Sequence, residues 1–195
     1  MNIIRKVPPE LRATAAMHQR LSLSSADFKH ARLIAERILK QKLHDKYHGP
    51  SGNLLRALNC SMVMAYTRPF CGGQARQSSG IPALPGRFLR LLSKEQLRVH
   101  RTAMHDRNKF MAHTDADAVS LETVIVSFPN GKETLINVSG DRLAPLTAKA
   151  TKQLYLAADK LWETTQAVAT EFEIDLRPYF RNVSSKNIGD IFAAA

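Results

Sequence analysis

Leu154, Ala158, Leu161, Thr165, Val168 and Phe172 recur at alternating steps of four and three. That spacing draws one stripe along a helix of 3.6 residues per turn. It predicts a long helix from about 146 to 172, and a stripe of that length must be covered by other elements. The rest of the chain offers mostly helices to cover it. Residues 9–20, opened by Pro8-Pro9, read as a short helix. Ser24 and Ser25, residues that favour N-caps, predict the start of a second helix. It carries Ala31, Ile34, Ala35 and Ile38 and runs to about Leu43. Gly49-Pro50 breaks the pattern. Leu54, Leu55, Leu58, Met62 and Ala65 then predict a helix over 53–67, ended by Pro69.

CGGQARQSSGIPALPG, 71–86, is rich in Gly, Ser and Pro and reads as a long loop. The next helix opens at Ser93. In SKEQ the glutamine lies three residues after the serine, which is the capping-box spacing. It carries Leu97, Val99, Ala103, Met104, Phe110 and Met111 and is expected to reach about His113.

Then the pattern changes. VSLETVIVSFPNGKETLINVS, 119–139, is rich in β-branched residues, and Asn130-Gly131 is a hairpin-turn signal. Strands are expected at about 119–128 and 133–138. A two-stranded ribbon is marginal by itself in water, so it must lie against the helices or against a second chain. The expected fold is mainly all-α: an antiparallel bundle of four to five helices with one inserted β-hairpin at about 119–138. Residues 1–175 form the domain, and 176–195 are a tail that packs loosely or frays.

Charge narrows the partners. The chain holds 28 Lys and Arg against 17 Asp and Glu, a net +11. Residues 1–113 hold 20 against 6, and residues 114–195 hold 8 against 11; all seven histidines lie in the first part. A strongly basic half attracts polyanions, nucleic acid first among them; an ordinary basic surface has the same composition. Cys60 and Cys71 have no CxxC or zinc spacing, which suits a reducing compartment. MNIIRKVPPELRA has no apolar run of signal-peptide length. No stretch approaches the roughly 20 apolar residues of a membrane span. The expectation is a cytoplasmic protein that does not engage a membrane. GxSxG, P-loop and Rossmann glycine patterns are absent.

The segment HDRNKFMAHTDAD, 105–117, concentrates ionisable side chains at the end of the helix that opens at Ser93. On a wheel with Val99 at zero, Ala103 falls near ~40°, Arg107 near ~80° and His100 near ~100°. Arg107 therefore lies in the middle of the apolar arc. A permanently charged guanidinium there must be paired or border a polar cleft. Either a structural ion pair or a stem reaching to water satisfies it, or the arc faces another helix or subunit across a polar cleft. His113 at a helix C-terminus is also accounted for by the helix dipole. Asp106, His113, Asp115 and Asp117 have no recognised metal-ligand spacing, so no metal or other cofactor is expected.

R-N-K-F-M-A-H, Arg107 to His113, resembles the signature of HEPN domains: an arginine, usually a polar neighbour, and a histidine a few positions on. Here the neighbour is Asn108 and five residues intervene. The longer RNKFMAHTD is similar to the form in HEPN proteins of abortive-infection and toxin–antitoxin systems. AYTRPF, 65–70, resembles a segment at the end of an early helix in such proteins. The helical layout extends the likeness loosely over 25–172, with the hairpin as an insertion into a four-helix core.

The resemblance implies metal-independent RNA cleavage, usually in a homodimer that brings two motifs together, with an antitoxin protein as a further partner. It assigns Arg107, Asn108 and His113 as catalytic. Lys109, His105 and Arg101 are the candidate RNA contacts. The residue chemistry agrees. Histidine suits proton transfer, arginine forks onto phosphate oxygens, and asparagine orients or donates. On one straight helix Arg107 and His113 stand about 120° and ~9 Å apart, which two copies across a two-fold would ease. A homodimer with the 93–113 helix near its axis is expected. Tyr47, His48 and Tyr66 are possible neighbours of the site, or else core or surface residues. The competing classes are a non-catalytic HEPN-like dimer that binds a protein or nucleotide, and a basic module that holds nucleic acid without cutting it.

Overall fold

The computed structural model describes residues 7–46, 50–71, 81–108, 121–139 and 144–180. Four α-helices and one hairpin account for most of them: α1 (Arg12–Lys40), α2 (Pro50–Thr67), α3 (Lys94–Asp106), β1 (Leu121–Ser127), β2 (Glu133–Ser139) and α4 (Ala148–Leu176). The fold is mainly all-α with an inserted β-hairpin.

The first two expected helices are one. α1 runs unbroken for 29 residues, and Ser24 and Ser25 lie buried in its interior instead of capping a start. No glycine or proline occurs between Pro9 and Gly49 to stop it. The buried face supplies what serine's local preference does not: Leu21, Phe28, Ala31, Ala35 and Ile38 are all sealed from solvent. Small residues let α1 and α4 approach along their length, with Ser22, Ser25, Ala169 and Thr170 lining a shallow groove on the seam. Further along the same pair, Arg32 bonds Asp159 at 2.5 Å and lies 5.2 Å from the Trp162 ring and 5.6 Å from the Tyr155 ring. Burial opposes its charge most strongly, but the bond to Asp159 together with the charges of Tyr155, Asp159 and Glu36 outweighs that and raises its pKa.

α2 starts three residues earlier than expected, at Pro50, where a fixed φ suits a first helical turn. Its buried Asn59 accepts the Leu146 N–H at 3.0 Å, which holds the chain just ahead of α4. Thr147 then caps α4 by accepting the Ala150 N–H. Leu154, Ala158, Leu161 and Thr165 are buried as their spacing requires, while Val168 and Phe172 are half-buried. The helix continues past Phe172 to Leu176, which is sealed against Val7 and Ala15. Tyr179 and Phe180 pack on that small cluster, so the chain is anchored at least to 180.

Residues 81–85 form no regular secondary structure, and Leu84 bonds its N–H to the Pro69 carbonyl at 2.9 Å. A 3-10 turn over Gly86–Leu91, which periodicity does not reveal, buries Phe88. Arg20, buried on α1, donates from Nε to the Pro82 carbonyl.

β1 and β2 pair antiparallel from Leu121↔Ser139 to Ser127↔Glu133. The turn closes with Gly131 N–H on the Phe128 carbonyl at 2.9 Å, and Gly131 has φ +75°, which suits a residue without Cβ. No helix makes more than a marginal contact with the ribbon among the described residues.

Candidate functional site

α3 is built to place its own C-terminus. Ser93 Oγ accepts the Gln96 N–H at 3.2 Å and the Gln96 side chain accepts the Ser93 N–H at 2.8 Å, the reciprocal capping box the sequence announces. Val99, His100 and Ala103 are buried, and Leu97 and Met104 are half-buried. The buried centre of the arc therefore contains a histidine. Arg107 lies at its far end, half-buried, with helical φ −57° and ψ −48°. Backbone at 107–108 opens into a wider π-type turn, a departure frequent at functional sites.

Arg107 Nη1 donates to Asn108 Oδ1 at 2.8 Å. The two neighbours thus present a guanidinium and an amide as one polar unit. Arg101 and His105 are exposed, and they stand roughly 120° and 160° around the helix from Arg107. His105 Nδ1 lies 3.5 Å from Asp106 Oδ1. The structure therefore brings Arg107 and Asn108 together, but not Arg101 or His105 with them. Lys109, His113, Asp115 and Asp117 lie outside the described residues, as do Tyr47 and His48.

AYTRPF is joined to this helix. Tyr66, Thr67 and Pro69 are buried, and Arg68 Nη1 bonds Asp27 at 2.6 Å. The Phe70 ring meets His100 edge-on at 4.8 Å, and Tyr66 meets it at 5.8 Å. Phe28 completes the cluster, 5.9 Å from Tyr66 and 5.7 Å from Phe70. Arg107 stands two turns along α3 from His100, roughly 10 Å. Sequence reading placed His100 on the apolar arc but did not find this cluster. Its members are 28, 66, 70 and 100, and only AYTRPF gave a sign of it.

Burial holds the His100 pKa below its usual value, with the Arg101 charge adding to the effect. His44, whose Nε2 lies 3.2 Å from Thr151 Oγ1, is likewise lowered by burial. Both are favoured neutral in the fold. The unfolded chain binds their protons near pH ~6.5, so their contribution is complete above that value and falls away as pH drops below it. The denaturation midpoint is expected to decline from pH ~6.5 downward, and His100→Phe to flatten part of the decline. A midpoint whose pH dependence is the same in His100→Phe would contradict this assignment.

No family model, curated protein or solved structure matches the chain.

Proposed function

We propose that this chain is a metal-independent endoribonuclease of HEPN type that cuts RNA with Arg107, Asn108 and His113. The observation that carries the reading is the Arg107–Asn108 pair. It lies at the end of a capped amphipathic helix, Arg107 half-buried and Asn108 exposed, with the guanidinium bonded to the amide at 2.8 Å. RNA carries its own nucleophile. His113 takes the proton of a 2′-OH, and the 2′-oxygen attacks phosphorus. The P–O5′ bond breaks and the leaving oxygen takes a proton from water, while the His113 imidazolium returns its proton to solvent. The products are a 2′,3′-cyclic phosphate and a 5′-hydroxyl. Arg107 stabilises charge on the phosphorane oxygens, and Asn108 fixes the guanidinium. The net positive charge of residues 1–113 draws RNA in. A second copy supplies a second set of the same residues. A role in phage defence or a toxin–antitoxin pair, with a neutralising protein partner, fits such an activity.

The alternative is a non-catalytic HEPN-like dimer that binds a protein or nucleotide. The same bond favours it, because an arginine satisfied by its own neighbour also serves as a structural pair. Single-stranded RNA in EDTA separates the two. Undiminished cleavage is the expected result, and activity that appears only with added metal would overturn the mechanism.

A further inference from the structure

Among the described residues the hairpin has no adequate support. Two strands alone are marginal in water, and no helix among the described residues packs extensively on these two. Its surface is also wrong for solvent. Ile125 and Leu135 face each other across the ladder and are 64% and 71% exposed, and Phe128 beside them is 47% exposed. Neither strand contains the lysine, arginine or proline with which proteins blunt a free edge.

The occupant is written in β1 itself. Thr123-Val124-Ile125-Val126-Ser127 is a near-palindrome about Ile125. We propose that β1 pairs antiparallel with β1 of a second copy, about a two-fold at Ile125, to make a four-stranded sheet. The backbone is set for it. Phe128 N–H bonds the Lys132 carbonyl at 2.8 Å, so the alternation of an antiparallel ladder turns the N–H and C=O of Thr123, Ile125 and Ser127 to the free edge. A two-fold at Ile125 sets Thr123 against Ser127 twice and Ile125 against itself, for about six backbone hydrogen bonds. Val124 then stands opposite Val126. The exposed pair becomes a row of four: Leu135, Ile125 and their two symmetry mates.

Charge agrees. Glu122 is the one charged residue of β1 and falls opposite Phe128, so no like charges meet, although each chain carries +11. The only cation at the described hairpin, Lys132, lies in the turn, which makes it a poor RNA surface. The pairing goes beyond the cleavage reading, which needs a second copy but not this edge: the Ile125 variants test the edge, and RNA cleavage in EDTA tests the reading.

The test is sedimentation equilibrium on the full chain at micromolar concentration, with helix content checked by circular dichroism. Wild type is expected to be a dimer. Ile125→Lys alone and Ile125→Glu alone place like charges directly opposite one another and are expected to weaken it by about tenfold or more. An equimolar mixture of the two variants is expected to restore the dimer. A monomeric wild type, including one that associates only with a different protein, would overturn the proposal. So would an undiminished dimer in Ile125→Lys, or variants that stay apart when mixed.

Discussion

His113→Ala and Arg107→Ala are each expected to abolish most RNA cleavage while leaving the fold intact. Loss of a positioned proton-transfer group costs roughly a hundredfold to ten-thousandfold in rate. Loss of a charged donor aimed at the developing phosphorane oxygens costs roughly a hundredfold to a thousandfold. Arg107 is half-buried, not sealed, and its observed bond is to its own neighbour, so removing it strands no deeply buried partner. Arg107→Lys keeps charge but loses the planar fork and is expected to recover little. Cleavage rates with labelled RNA, beside melting curves for each variant, check the expectation. If Arg107→Ala lost activity only by unfolding, the residue would be structural.

Phe28→Ala is expected to give the largest loss of stability, about 3–5 kcal/mol. Phe28 is fully buried where α1 meets the AYTRPF corner, within 6 Å of the Tyr66 and Phe70 rings. Its removal leaves a cavity that the long, close-packed α1 cannot collapse into. Domain stabilities are commonly about 5–15 kcal/mol, so the variant falls near its unfolding threshold. His100 rests on the same rings, so the packing behind α3 loosens with it. Urea unfolding monitored by helix content measures the cost. A loss below ~1 kcal/mol would show that this cluster does not organise the bundle.

Much of this architecture is legible in the sequence because its signals are local. The stripe of α4, the capping box at Ser93 and the Asn130-Gly131 turn each lie within a few residues of the structure they specify. The failures have a common cause. Ser24 and Ser25 favour a cap locally, but burial against α4 carries the helix through them. Among the described residues Arg20 is the guanidinium the bundle buries, and its carbonyl partner at Pro82 is 62 residues away. No periodicity announces it. The Phe28–Tyr66–Phe70–His100 cluster likewise joins three separate stretches of chain. At the site, Arg107 and Asn108 were legible as a motif, and their mutual bond is the geometry added to it. Arg101 and His105 share the sequence neighbourhood but turn away, because adjacency in sequence is not adjacency around a helix.

The most direct test of the central claim compares an RNA with its all-deoxy counterpart, incubated with wild-type chain in EDTA, followed by analysis of the product ends. The account predicts that the RNA is cut to 2′,3′-cyclic phosphate and 5′-hydroxyl ends while the deoxy strand stays whole. An intact RNA, or a deoxy strand cut equally well, would contradict it.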